Sequence, residues 1–238
     1  NDIMGVAYEA DLVLSSVPMT NYSGKAAHLD QARALNAIVS NNSWSSLCAD
    51  EASDIDTFWA NNPGLTAYQA VGGMLAGCGA VSDAATTQIT DYVNAIKAFQ
   101  DNGGIMVFAA GNDQTDNDVS AQAALPLWFP ELDGAYLAVA YMEVRGSPTI
   151  QGSTFIQLSN PCKQMKEKCL VTDAFEIFGA SWHDELNGPT SNYAGVIGGG
   201  SSSASPMVSG ILALLKQAFP NHTPEQLVDR LLASANNT

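Results

Sequence analysis

Apolar positions along this chain fall into short runs and helical stripes, and their alternation sketches a layered α/β domain. Ala10-Asp11-Leu12-Val13-Leu14-Ser15-Ser16-Val17 has the β-rich character of a strand in a covered sheet. Ala27, Leu29, Ala32, Leu35 and Ile38 share one face of a helix predicted over 26–38, which feeds a strand from Ala37 to Trp44 with a polar end. Ile89, Tyr92, Val93, Ile96 and Phe99 recur at helical spacing between Thr87 and Gln100, and Gly103 stands just past that helix. Ile105-Met106-Val107-Phe108-Ala109-Ala110 is then a buried strand, closed by Gly111-Asn112-Asp113. A helix followed by such a strand points to a βαβ unit and a parallel sheet.

Near the end of the chain, Gly198-Gly199-Gly200 precedes Ser201-Ser202-Ser203-Ala204-Ser205-Pro206, and the apolar positions after Pro206 read as a buried helix. A serine therefore sits where loop becomes helix. Thr223-Pro224-Glu225-Gln226 is a capping box with proline at the first helical position, opening an amphipathic helix through Leu227, Val228, Leu231 and Leu232. Asp50 to Thr87 is long, rich in glycine and alanine and bracketed by Cys48 and Cys78, which predicts a loop stapled by a disulfide.

The loop-to-helix serine carries chemistry. The first N–H groups of a helix lack intrahelical partners, and the dipole there favours developing negative charge. A serine nucleophile at that point has an oxyanion donor in its own N–H. The plain alternative is a glycine/serine hinge before a core helix. The order of residues argues for the nucleophile: Gly200-Ser201-Ser202-Ser203-Ala204-Ser205-Pro206, with Val208 and Gly210, resembles the nucleophile motif of subtilisin-like serine proteases, Gly-Thr/Ser-Ser-x-Ala-x-Pro-x-Val-x-Gly. On that alignment Ser202 is the nucleophile.

Other segments extend the resemblance in the same order. Gly5-Val6-Ala7 is similar to the segment that leads into the strand after the family's catalytic-histidine helix. Asn41-Asn42-Ser43 resembles its Asn-x-Ser segment, which pairs with substrate as an added strand and lines the pocket for the residue before the cut. Ala109-Ala110-Gly111-Asn112 resembles the Ala-Ala-Gly-Asn motif, whose asparagine amide donates to the oxyanion. Trp128-Phe129-Pro130 and Ala135 to Ala140 look like a further family strand and its approach. Leu158-Ser159-Asn160-Pro161-Cys162 to Cys169-Leu170 is similar to an element of the protease passenger domains of bacterial autotransporters, although Thr172-Asp173-Ala174-Phe175 replaces their Ala-Pro-Gly turn.

The resemblance implies one subtilisin-like peptidase domain over 1–238: a mostly parallel sheet covered by helices on both faces, with a cysteine-bracketed insertion at about 48–87. It implies a secreted or cell-surface serine endopeptidase working through an acyl-enzyme on Ser202. Asn112 would complete the oxyanion site, and Ser43, Ala109, Ala110 and Gly111 would line the cleft. The family's aspartate and histidine come from segments upstream of the Gly-Val-Ala strand, so the N-terminal part of the fold is expected outside this chain, on a segment of the same protease. Asn1 is read accordingly as the start of an excerpt or a processed product.

His28, His183 and His222 stand in a predicted helix, a polar loop and beside a helix cap, none in the context of the family's base. An inactive binding module on the same fold is the rival reading. A lipase-type hydrolase is disfavoured, because no Gly-x-Ser-x-Gly occurs.

Composition narrows the partners. Against 24 Asp and Glu stand nine Lys and Arg, a formal charge of −15 that provides no basic footprint for nucleic acid or anionic membrane. Protein or peptide remains the expected partner, with cationic substrates favoured. Four cysteines without CxxC pairs or accompanying histidines argue against zinc; two disulfides, most economically Cys48–Cys78 and Cys162–Cys169 of three possible pairings, or four buried thiols, remain. Asp113, Asp116 and Asp118 read as a solvated acidic face, and no metal or cofactor is assigned.

Overall fold

The computed structural model describes residues 5–16, 21–45, 48–146, 153–181 and 194–235. β1 (Val39–Asn42), β2 (Ile105–Ala109) and β3 (Tyr136–Gly146) run parallel, side by side in that order. β3 also pairs antiparallel with β4 (Ser153–Gln157) and parallel with β5 (Cys169–Asp173). β6 (Ile177–Ser181) and β7 (Ala194–Gly198) make a separate antiparallel pair.

Every residue of β2 is buried, and its alternation explains the uninterrupted apolar run. Met106 and Phe108 enter one core layer with Ile89, Val93, Ile96 and Phe99 of α4 (Asp83–Asp101). Ile105 and Val107 enter the other, with Val208 and Leu212 of α5 (Ser201–Ala218) and Val228 of α6 (Pro224–Ser234). Helices thus cover both faces, as the resemblance implied. Each large side chain buried there contributes about 1.5–3 kcal/mol relative to exposure.

Caps set the helix boundaries. α1 (Tyr22–Ala34) starts upstream of the predicted stretch because the Asn21 side chain accepts the Gly24 N–H at 2.9 Å. It ends before Asn36, whose φ of 55° turns the chain toward β1, so Ile38 lies outside the helix. α4 likewise begins early, where Ser82 accepts the Ala85 N–H at 3.2 Å.

The stretch from 50 to 87 is not a loop but two helices, α2 (Ala52–Asn61) and α3 (Ala67–Leu75), before α4. Both begin with capping boxes, Glu51 with Asp54 and Thr66 with Gln69. Gly72 lets α3 approach α4, since a Cβ there would stand 2.8 Å from the Ala85 carbonyl oxygen. Disulfides join Cys48 to Cys78 and Cys162 to Cys169, the economical pairing.

The described part of the predicted first strand, 10–16, forms no strand, and Leu12 and Leu14 are 82% and 89% exposed. A strand needs a neighbour to take its N–H and C=O groups. Among the described residues β1 pairs with β2 alone, so one edge of β1 is open, and residues 10–16 are not paired to it.

Lys25 is 3% exposed, with its Nζ 3.8 Å from the Tyr22 ring centroid and 3.9 Å from that of Trp44. Burial lowers its pKa from 10.5 to about 8. The folded chain therefore binds fewer protons than the unfolded chain between those values, and stability rises with pH across that window. Relative to Lys25→Met, the wild-type unfolding free energy in urea is expected to rise from about pH 8 to 10.5 by at most about 1.4 kcal/mol per pH unit. A constant difference between the two proteins would refute this.

Candidate active site

Three chain segments converge where the parallel strands end. The polar end of β1 brings Ser43 and Trp44, the turn after β2 brings Gly111 and Asn112, and the start of α5 brings Ser201 and Ser202. Together they border a pocket of about 420 Å³. Openings at the carboxyl ends of parallel strands are where α/β sheets bind ligands.

Gly200 is the N-cap of α5, with φ 124°. A Cβ there would stand 3.1 Å from the Asn112 Oδ1. Glycine at 200 thus serves both a left-handed turn and a close approach. Ser201 is buried, and both its N–H and its hydroxyl donate to Asn112 Oδ1 at 2.8 Å. Its Oγ also accepts the Gly111 N–H at 3.3 Å. The amide oxygen of Asn112 is thereby held against the helix, which leaves the amide N–H groups of this exposed side chain as the available donors. Ser202, the next residue, is exposed at the pocket's edge. Its N–H is among the four that a helix leaves without an intrahelical acceptor.

The other expected site residues separate. Ser43, Ala109 and Gly111 line the pocket. Ala110 does not: its side chain is fully buried in the core, its N–H donates to the Val139 carbonyl and its C=O accepts from the Ser120 N–H, each at 2.8 Å. Alternation along an extended segment turns it away from its neighbour Ala109. His28, hydrogen-bonded to Ser15, and His222, packed against Phe219 with ring centroids 5.1 Å apart, are not among the pocket's lining residues. His183 lies outside the described residues.

Sequence reading missed Ser201, and it also misjudged the acidic loop. That loop is not merely a solvated face, because Asp118 is buried and Asn160 braces the whole turn. Asn160 Oδ1 accepts the Asp113 N–H at 2.9 Å, and its Nδ2 donates to Asp116 Oδ2 at 2.6 Å and to the Asp118 carbonyl at 3.0 Å. Glu51, at the start of α2, accepts the N–H groups of Asn117 and Asp118 at 2.6 and 2.8 Å. The cysteine-bracketed stretch thus grips the turn that carries Asn112. Burial raises the Glu51 pKa, but hydrogen bonds from Ser53, Asp118 and Asn117 and the charge of Lys163 outweigh it, so the net shift is downward. Gly111, at φ 112°, leaves room for Asn160, whose Oδ1 would lie 2.2 Å from a Cβ.

Asp50, Asp113 and Asp116 line the same pocket, and none of the described residues lining it is cationic. Burial lifts the Asp116 carboxyl above its usual range; the Asn160 hydrogen bond opposes this, while the charges of Asp113, Glu51 and Asp50 add to it. The Asp113 carboxyl is held low by the hydroxyl and N–H of Thr115.

A family model described as the subtilase family, Peptidase S8, matches residues 1–238. Serotype-specific antigen 1 of Mannheimia haemolytica is 27% identical over 147 residues, 61% of this chain and 14% of that protein. An extracellular serine protease of Serratia marcescens is 28% identical over 138 residues, 52% of this chain and 12% of that protein. Among solved structures, the prenylagaramide maturation protease PagA superposes with a TM-score of 0.57 at 21% identity, over 95% of this chain and 62% of its own. Sphericase gives 0.51 at 16% identity, over 90% and 55%. The chain therefore spans about an eighth of the curated relatives and somewhat over half of these structures.

Proposed function

The chain belongs to the subtilase family, and on that premise we propose that it is the nucleophile-bearing part of a serine endopeptidase. One observation carries the reading: Ser202 is exposed at the start of α5, beside an asparagine whose amide oxygen is pinned by Ser201, and both border one pocket. Ser202 Oγ attacks the scissile carbonyl. The Ser202 N–H and the Asn112 amide receive the oxyanion; collapse of the tetrahedral intermediate breaks the C–N bond, the amine leaves with the proton that the base took from Ser202, and water then hydrolyses the acyl-enzyme.

The proton of Ser202 must go to a base. The aspartate and histidine of the triad are assigned to a segment upstream of this chain. Among the described residues β1 has no partner strand on one edge, and Leu12 and Leu14 are exposed; both support this, because an added strand there would pair with that edge and cover apolar surface. Two disulfides and the extracellular relative favour a secreted or cell-surface protease. Among the described residues no helix is long and apolar enough to cross a membrane.

Fluorophosphonate labelling followed by peptide mapping tests the assignment. A single adduct on the Ser202 peptide, with an N-terminal fragment co-purifying when the chain is nicked, is the expected result. A folded protein that takes no adduct would instead be an inactive binding module.

The pocket's carboxylates set a substrate preference. Peptides with Arg or Lys before the scissile bond are expected to be cut at least about tenfold faster than those with Glu, the factor for one favourable charge contact in a partly desolvated site. Asp116→Asn should narrow the gap. Equal rates across such a peptide series would remove the pocket from specificity.

A further inference from the structure

The carbonyl of Ser202 is in an unusual position. In a helix it would accept the N–H of the residue four places on, but that residue is Pro206, which has none and lies inside α5. The side chain of Ser43 fills the gap: its Oγ donates to the Ser202 carbonyl at 3.1 Å. The hydroxyl has one proton, so in its 2.8 Å contact with the Ser205 hydroxyl Ser43 accepts, and it also accepts from Asn41 Nδ2 at 3.1 Å.

Ser205 is fully buried, and the Ser209 hydroxyl, which donates to the Ser205 carbonyl at 2.9 Å, lies 3.2 Å from Asn41 Oδ1 on the same helix face. The end of β1 is therefore joined to α5 through Ser43 at Ser202 and Ser205, and Asn41 meets Ser209 further along the same side of the helix.

Resting on the protease reading above, we infer that Ser43 is a positioning residue for the nucleophile: its hydroxyl replaces the backbone donor that Pro206 removes and so fixes the orientation of Ser202. The direction of the Ser202 carbonyl is set by that residue's ψ, and its Cβ stands on the same Cα. Holding one holds the other. Ser43 thus acts through Ser202, beyond lining the pocket.

Pro206→Ala supplies the missing N–H and makes the inference separable from a loss of packing. In the full-length protease, Ser43→Ala is expected to slow fluorophosphonate labelling and kcat about tenfold with KM within about twofold. In a Pro206→Ala background the same change should cost no more than about twofold. Ser43→Thr, which keeps the hydroxyl, should recover most of the rate. If Ser43→Ala does not fold, Ser43→Cys reads the same bond, since a thiol fills the space but donates weakly.

Equal losses in both backgrounds, or a raised KM at unchanged kcat, would overturn the positioning role while the protease reading stands. A wild-type protein that takes no label would overturn the protease reading and this role with it.

Discussion

Ser202→Ala is expected to lower kcat by about 10⁶-fold, the loss known for subtilisin, another member of the family, when its nucleophile is removed. The size follows from the neighbours as much as from Ser202. Three other serines lie within three residues, yet two are committed elsewhere. Ser201 is buried and its hydroxyl donates to Asn112, while Ser205 is fully buried against Ser43. Ser203 is half-buried and is not among the residues lining the pocket. An alanine at 202 therefore leaves no nearby hydroxyl poised to attack. What survives is binding and oxyanion stabilisation, about 10³-fold over the uncatalysed rate. The measurement is a progress curve on a quenched peptide together with peptide mapping after fluorophosphonate treatment. A variant that keeps more than about a hundredth of the activity, or that places the adduct on Ser203, would remove Ser202 from the chemistry.

The motifs behind the proposed site were legible where residue type and chemistry coincide. Ser202 and Asn112 stand out because a glycine-led turn before each serves both the local backbone and the proposed chemistry, and Gly200 and Gly111 do have positive φ. β2 was legible because burial on both faces demands an unbroken apolar run. Four features were misread, for different physical reasons. Ser201 and Asn160 act through hydrogen bonds to residues 89 and 47 positions away or similar, and no local periodicity encodes such partners. The helices α2 and α3 carried a readable signal in Thr66 and Gln69, but glycine and alanine content masked it. The run at 10–16 reads as a strand because its composition is that of one, yet a strand is a property of a pair, and β1 and this run are not paired. Ala110 failed for a simpler reason: a motif names consecutive residues, while an extended backbone sends them to opposite sides.

Asn112→Ala is expected to reduce kcat by about 10²–10³-fold at nearly constant KM, the magnitude established for the matching oxyanion donor of subtilisin. Loss of this side chain removes two things here, the amide donors and the acceptor that satisfies the Ser201 N–H and hydroxyl. Asn112→Asp separates them. A carboxylate keeps the shape and still accepts both bonds from Ser201, so the start of α5 should stay anchored and the unfolding midpoint should remain near that of the wild type. It has no proton to donate at neutral pH and places negative charge where the oxyanion must form. The aspartate variant should therefore be at least as slow as the alanine variant while being the more stable of the two. Paired urea unfolding and peptide hydrolysis on both variants make the comparison. If activity followed stability, with Asn112→Asp the faster enzyme, Asn112 would be a brace for the Ser201 turn, and the oxyanion would have to rest on the Ser202 N–H.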